Sequence, residues 1–263
     1  MKKYGLYGRY TMIQQLSPSI GIYVVLIIVL AALGAANAFL PQGSFTATLP
    51  GQQLPVSKPV MAAVTAGMML IVYGGLGFLG LQLSQKLGFS ALWDAEVSNR
   101  QRFLIPACVG VGTGVFFIVA DAFVKRLHTL GALPHPPFPT SIVASAVAGI
   151  GEEVIFRLFF IPFWMWLIST VILKGRWQDE VFWGVAIFSA LVFALGHLPS
   201  VMFALGIERV NQVPAALIGE MILLNGIVSL LTAYYFRQYG FLAAVGIHFW
   251  TDIVWHVVWG LFV

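Results

Sequence analysis

Seven stretches of this chain, at 19–40, 59–83, 103–123, 140–173, 181–197, 213–236 and 240–262, are apolar over about the length of a bilayer crossing. A transmembrane helix needs roughly 20 such residues. The chain is therefore expected to be all-α, a polytopic transmembrane helical bundle of about seven or eight spans. Composition agrees: charged residues make up 9% of the 263 residues and mean hydropathy is +0.90, against about 25% charged in a soluble domain. The fourth run is too long for one straight span. It is expected to tilt, to kink near Pro162, or to break into a span plus a partly immersed helix.

Between the runs lie polar or Pro/Gly-rich links at 41–58, 84–102, 125–139, 174–180, 198–212 and 237–240. With seven crossings, one side collects Lys2, Lys3, Arg9, Lys86, Arg100, Arg102, Lys174, Arg176 and Arg237. The other collects Lys58, Lys125, Arg126 and Arg209. Excess positive charge marks the cytoplasmic side, so the N-terminus is expected there. Ala36-Asn37-Ala38 resembles a signal-peptidase site, but the run before it exceeds the roughly 7–15 residues of a secretory h-region, so it reads as a first span. The single Cys108 excludes an internal disulfide. A net charge of +4 without a basic run or interleaved aromatics points to topology and lipid contact, not to nucleic acid.

Against this background, ionisable residues at membrane depth stand out. Each costs roughly 2.5–3.5 kcal/mol on insertion scales and is a functional candidate by default. Glu152, Glu153 and Arg157 lie in the fourth run. Glu153 and Arg157 are four apart and share a helix face. Glu152 points about 100° away, so it is the acid that needs another partner. The bland reading of Glu153 and Arg157 is a buried pair that fixes helix packing. Upstream, the small residues of 144–151 would let another helix or a substrate backbone approach closely. A second constellation is Phe193 with His197, where a helix C-terminus before Pro199 would favour a histidine in any case. A third is His248 with Asp252, again four apart on one face, with His256 one turn further and weaker as a candidate. Their bland reading is a hydrogen bond that satisfies two buried groups.

Taken in order, Glu-Glu-x-x-x-Arg at 152–157, Phe-x-x-x-His at 193–197 and His-x-x-x-Asp at 248–252 resemble the three motifs of the CAAX protease and bacteriocin-processing family. The resemblance covers about 140–262. It divides the chain into N-terminal helices and loops at 1–139 and a catalytic core at 140–263, within one integrated membrane domain. It implies a metal-free intramembrane glutamic endopeptidase without a cofactor. Glu152 would be the base, His197 its partner, and His248 with Asp252 the oxyanion side. Glu153, Arg157 and Phe193 would support them. Two positions depart from the family's habit: Asp252 where Asn is frequent, and Leu158 where Gly often follows the arginine. An ionised Asp252 would repel an oxyanion, so it must be protonated or act by orienting His248.

The resemblance also implies a membrane-associated protein or peptide as substrate and a place in the cell membrane, expected to be that of a prokaryote. Three other readings stay open from the residues alone. Glu152, His197 and His248 contain the donors of a zinc hydrolase site. Glu220 and Asp121 add acids at depth, as a proton-coupled transporter would, although no paired repeat is visible. A non-catalytic scaffold or immunity protein would keep the same fold.

Overall fold

The computed structural model describes residues 6–43 (backbone alone for 6–17), 56–90 and 92–263. Lys2, Lys3 and most of the first link lie outside the described residues. Among those described there is no strand, and seven helices are long and apolar enough to cross a membrane. They are α1 (Leu6–Asn37), α2 (Lys58–Lys86), α3 (Arg100–Val124), α4 (Thr140–Ile172), α5 (Gln178–Ala204), α6 (Ala215–Tyr239) and α7 (Phe241–Leu261). Their number, length and apolar character make the chain an integral membrane protein.

The long fourth run does not break. α4 is one continuous helix of 33 residues, about 50 Å at 1.5 Å per residue against a hydrocarbon core of roughly 30 Å. Two stretches of π-helix, Val154–Phe160 and Trp166–Ile172, flank the α-helical turn that holds Pro162. A proline removes one backbone donor, and the wider π turn before it accommodates that loss without a break. The fifth link is shorter than its composition suggests. Leu198–Ala204 is helical, with Pro199 in its first turn, a position where the missing N–H costs nothing. His197 is the one residue at which α5 is interrupted.

α7 is the innermost helix: 44% of its apolar window is buried, against 17% for α2. It packs between α3, α4 and α6. Close approach depends on glycine. A Cβ on Gly110 of α3 would lie 2.5 Å from the Ile247 carbonyl oxygen of α7, and one on Gly149 of α4 would lie 3.2 Å from the Phe249 backbone. The small-residue run of α4 does receive a neighbouring helix, as expected. The Thr251 hydroxyl donates to the Ile247 carbonyl at 2.8 Å and also faces the Gly110 carbonyl at 3.2 Å.

The N-terminal helices are not an appendage. Tyr23, Ile27 and Leu30 of α1 share a core with Val154 and Leu158 of α4 and Phe236 of α6. Tyr23 donates its hydroxyl to the Gly74 carbonyl at 2.5 Å, next to the π turn Met69–Tyr73 of α2. The link between α2 and α3 is folded around Arg102. Its guanidinium donates to the carbonyls of Asp94 and Val97 and stacks on Trp93.

Candidate active site

Three helices bring the sequence-predicted residues together. α4 supplies Glu152, Glu153 and Arg157, α5 supplies Phe193 and His197, and α7 supplies His248 and Asp252. They surround a cavity of about 210 Å³ lined by Glu152, His197, His248 and Asp252 together with Ser145, Asn225 and apolar side chains of α3, α6 and α7.

The two neighbouring glutamates have separate surroundings, as the 100° helix step requires. The Glu152 side chain is 33% exposed and reaches the cavity, whereas those of Glu153 and Arg157 are fully buried. Glu152 Oε2 lies 3.7 Å from His197 Nε2 and 3.8 Å from His248 Nε2. Glu153 faces inward, with Oε2 3.2 Å from Arg157 Nε and Oε1 2.8 Å from His248 Nδ1. The bland reading of Glu153 and Arg157 holds as geometry: they are a buried pair. They also reach the site, because the same carboxylate holds the His248 ring. An ionised carboxylate only accepts, so His248 donates from Nδ1 and its Nε2 is turned toward Glu152 and Asp252. Asp252 Oδ2 is 3.7 Å from that Nε2.

His197 caps the first part of α5, as its place in the sequence suggests. Its Nδ1 lies 2.8 Å from the Phe193 carbonyl oxygen. A carbonyl cannot donate, so the proton is on Nδ1 and Nε2 of the neutral ring is a lone pair facing Glu152. Phe193 is the packing centre of the site. Its ring meets His197 at 4.7 Å and His248 at 5.8 Å in edge contacts, and lies 4.9 Å from the Arg157 guanidinium. An aromatic face toward a desolvated guanidinium partly replaces the hydration that Arg157 gives up.

Glu220 and Asp121 are not brought to the cavity. They face each other at one end of the bundle, where Glu220 lies 3.9 Å from His128 and Asp121 accepts the Leu133 backbone N–H at 3.1 Å. His256 does line the cavity. Its Nδ1 meets Nδ1 of His135 at 3.1 Å. His135 belongs to the link at 125–139, whose Leu133, Pro134 and Pro136 wall one side of the cavity. This strap was read from the sequence only as a Pro-rich link. A proline cluster signals an irregular backbone, and nothing local says where that backbone docks. Among the described residues no group of three or more His, Cys, Asp or Glu is spaced to hold a metal ion.

Comparison with known proteins agrees with the motifs. Residues 134–254 match a family model described as type II CAAX prenyl endopeptidase Rce1-like. The matched segment starts in the strap and contains every residue of the three motifs. No curated protein and no solved structure matches the chain. Residues 134–254 are thus similar to the Rce1-like proteins, a likeness consistent with the CAAX protease and bacteriocin-processing family.

Proposed function

We propose, from the Rce1-like character of residues 134–254, that the protein is an intramembrane endopeptidase. It hydrolyses a peptide bond in a membrane-associated protein or peptide, with Glu152 as general base and without a metal. The observation that carries this reading is the meeting of the Glu152 carboxylate with the His197 and His248 imidazoles in one cavity among the helices.

The 3.7 Å between Glu152 Oε2 and His197 Nε2 is too long for a direct hydrogen bond and suits a water held about 2.8 Å from each. Both acceptors can take one of its hydrogens. In the proposed reaction Glu152 removes one proton as the water oxygen attacks the substrate carbonyl carbon. The carbonyl electron pair moves to oxygen. That oxyanion is met by the Nε2–H of a doubly protonated His248, whose Nδ1–H is fixed by Glu153. Asp252 orients the same ring, or donates if protonated. The tetrahedral species collapses with cleavage of the C–N bond, and the proton held by Glu152 passes to the leaving amine. Glu153, Arg157 and Phe193 hold this arrangement without touching the reacting atoms. The charge asymmetry of the links supports a cytoplasmic N-terminus.

The reading is tested by comparing protein N-termini in membranes from cells that make the wild-type chain or Glu152→Gln. Neo-N-termini present with the wild type and missing with the variant are expected. Identical sets from both would defeat the proposal.

A further inference from the structure

The strap at 125–139 and the end of α7 carry a pair of histidines that the reaction above does not use. His256 lies in the π-helical stretch Ile253–Val258 of α7. It is eight residues beyond His248, and a π turn advances less per residue than the 100° of an α turn. The stretch thereby returns His256 toward the face of His248 and Asp252, and all three line the cavity. The ring turns Nδ1 to His135 Nδ1 at 3.1 Å, which leaves Nε2 for the cavity.

His135 is firmly placed. It lies edge-on to Trp255 at 4.6 Å, and it packs so close to Gly260 that a Cβ there would lie 3.2 Å from the His135 Cβ. Two residues before it, the Leu133 N–H donates to Asp121 and fixes the strap on that side. Burial holds the imidazole down at about 4, so it is neutral near pH 7. Two neutral rings joined through Nδ1 share one proton, and only one of them can donate.

The two choices differ in what they leave stranded. His135 Nε2 is buried and has no hydrogen-bond partner. If His256 donated, the His135 proton would sit on that Nε2 as a buried N–H with nothing to accept it, the costlier of the two ways to leave a nitrogen unpaired. If His135 donates, its Nε2 is a lone pair, and the His256 proton is placed on Nε2, the ring nitrogen not engaged by His135. We infer that His256, held in this tautomer by His135, donates its Nε2–H to a backbone carbonyl of the bound substrate peptide, away from the bond that is cut. His256 is then a substrate-binding residue and His135 its positioning residue. The inference rests on the endopeptidase reading for the nature of its ligand.

Two measurements test it, and the first needs no turnover. Glu152→Gln protein labelled with [15N]histidine, in detergent, is titrated with N-acetyl-leucyl-leucine amide. His256 should carry its proton on Nε2 and His135 on Nδ1, and the His256 Nε2 resonance should move as peptide is added. A proton on His256 Nδ1, or a resonance that does not move, overturns the inference. The second uses cleavage by the otherwise wild-type chain. A glutamine amide reaches where the imidazole Nε2 sits, and an asparagine amide reaches only where Nδ1 sits. His256→Gln should keep KM within about twofold, while His256→Asn should raise it about tenfold with little change in kcat. His135→Asn, which keeps the donor toward His256, should resemble the wild type, and His135→Ala should raise KM. Equal KM values for the Gln and Asn variants of His256 overturn the inference. Should the wild type cleave nothing, the endopeptidase reading falls, and the imidazole spectra alone decide this one.

Discussion

Glu152 and Glu153 are adjacent in the chain and do different work because a helix turns them apart. Glu152→Gln removes the proposed base and leaves every buried pair intact. Cleavage should fall by about 10²–10⁴ with no change in thermal midpoint. Glu153→Gln strands the Arg157 guanidinium, at a cost of roughly 3–5 kcal/mol for a buried pair broken on one side. It also frees the His248 ring, so stability and rate should fall together. A stable, fully active Glu153→Gln protein would contradict the geometry. The i,i+4 pairs were legible beforehand, since their spacing is the helix period itself. The Glu153–His248 bond was not, because it joins residues 95 apart and only the docking of α7 on α4 creates it. At Asp252, Asn keeps the shape and can donate, so Asp252→Asn should retain much of the activity. Asp252→Ala should lose about 10²–10³ in rate, and an Asn variant as slow as Ala would remove Asp252 from the orienting role. His135 gives a pH signature. Its folded value of about 4 lies below the ordinary 6.5, so between these values the unfolded chain holds a proton that the folded chain refuses. Stability therefore rises with pH across that window and declines as acid is added. The thermal midpoint of the wild type should fall more steeply than that of His135→Asn between about pH 6.5 and 4.5; parallel declines would contradict it.

At the scale of the helix, the apolar runs located all seven apolar helices, with most ends within a few residues but the start of α1 and the end of α5 further off, because a bilayer crossing is a local property of sequence. What they did not locate were the π stretches in α2, α3, α4 and α7, which follow from packing and not from composition. Nor did they locate the helical turn after Pro199, where a proline marks a start as readily as a stop. Helix contact itself makes a prediction. Gly110 meets α7 and Gly112, two residues on, has nothing within 4 Å of a Cβ. Gly110→Ala should destabilise the protein by about 1–3 kcal/mol through overpacking. Gly112→Ala should be neutral or stabilise it by about 0.5–1 kcal/mol, as loss of glycine freedom does in a helix. Thermal unfolding in detergent measures both, and equal midpoints for the two variants would mean that α3 and α7 do not pack as described.

For the whole molecule, seven crossings would put the start of α1 on one side and the strap, the end of α5 and the end of α7 on the other. The cavity is walled by the strap and by Ser200 and Val201, so a cytoplasmic N-terminus would open it outward. In a Cys108→Ala background, Arg126→Cys should react with a membrane-impermeant maleimide added to intact cells, and Arg176→Cys should not. The reverse pattern would invert the proposed topology. The motifs named Glu152, His197, His248 and Asp252, which line the cavity, because membrane depth makes ionisable residues few. The strap escaped notice because its contribution depends on the three-dimensional fold. The central claim is that Glu152 activates water for peptide hydrolysis without a metal. Its most direct test is cleavage of a membrane-anchored substrate by the purified chain in proteoliposomes containing a strong chelator, for wild type and Glu152→Gln side by side. The account predicts undiminished cleavage by the wild type and a loss of about 10²–10⁴ in the variant. Activity that the chelator abolishes and zinc restores, or a variant that cleaves at the wild-type rate, would contradict it.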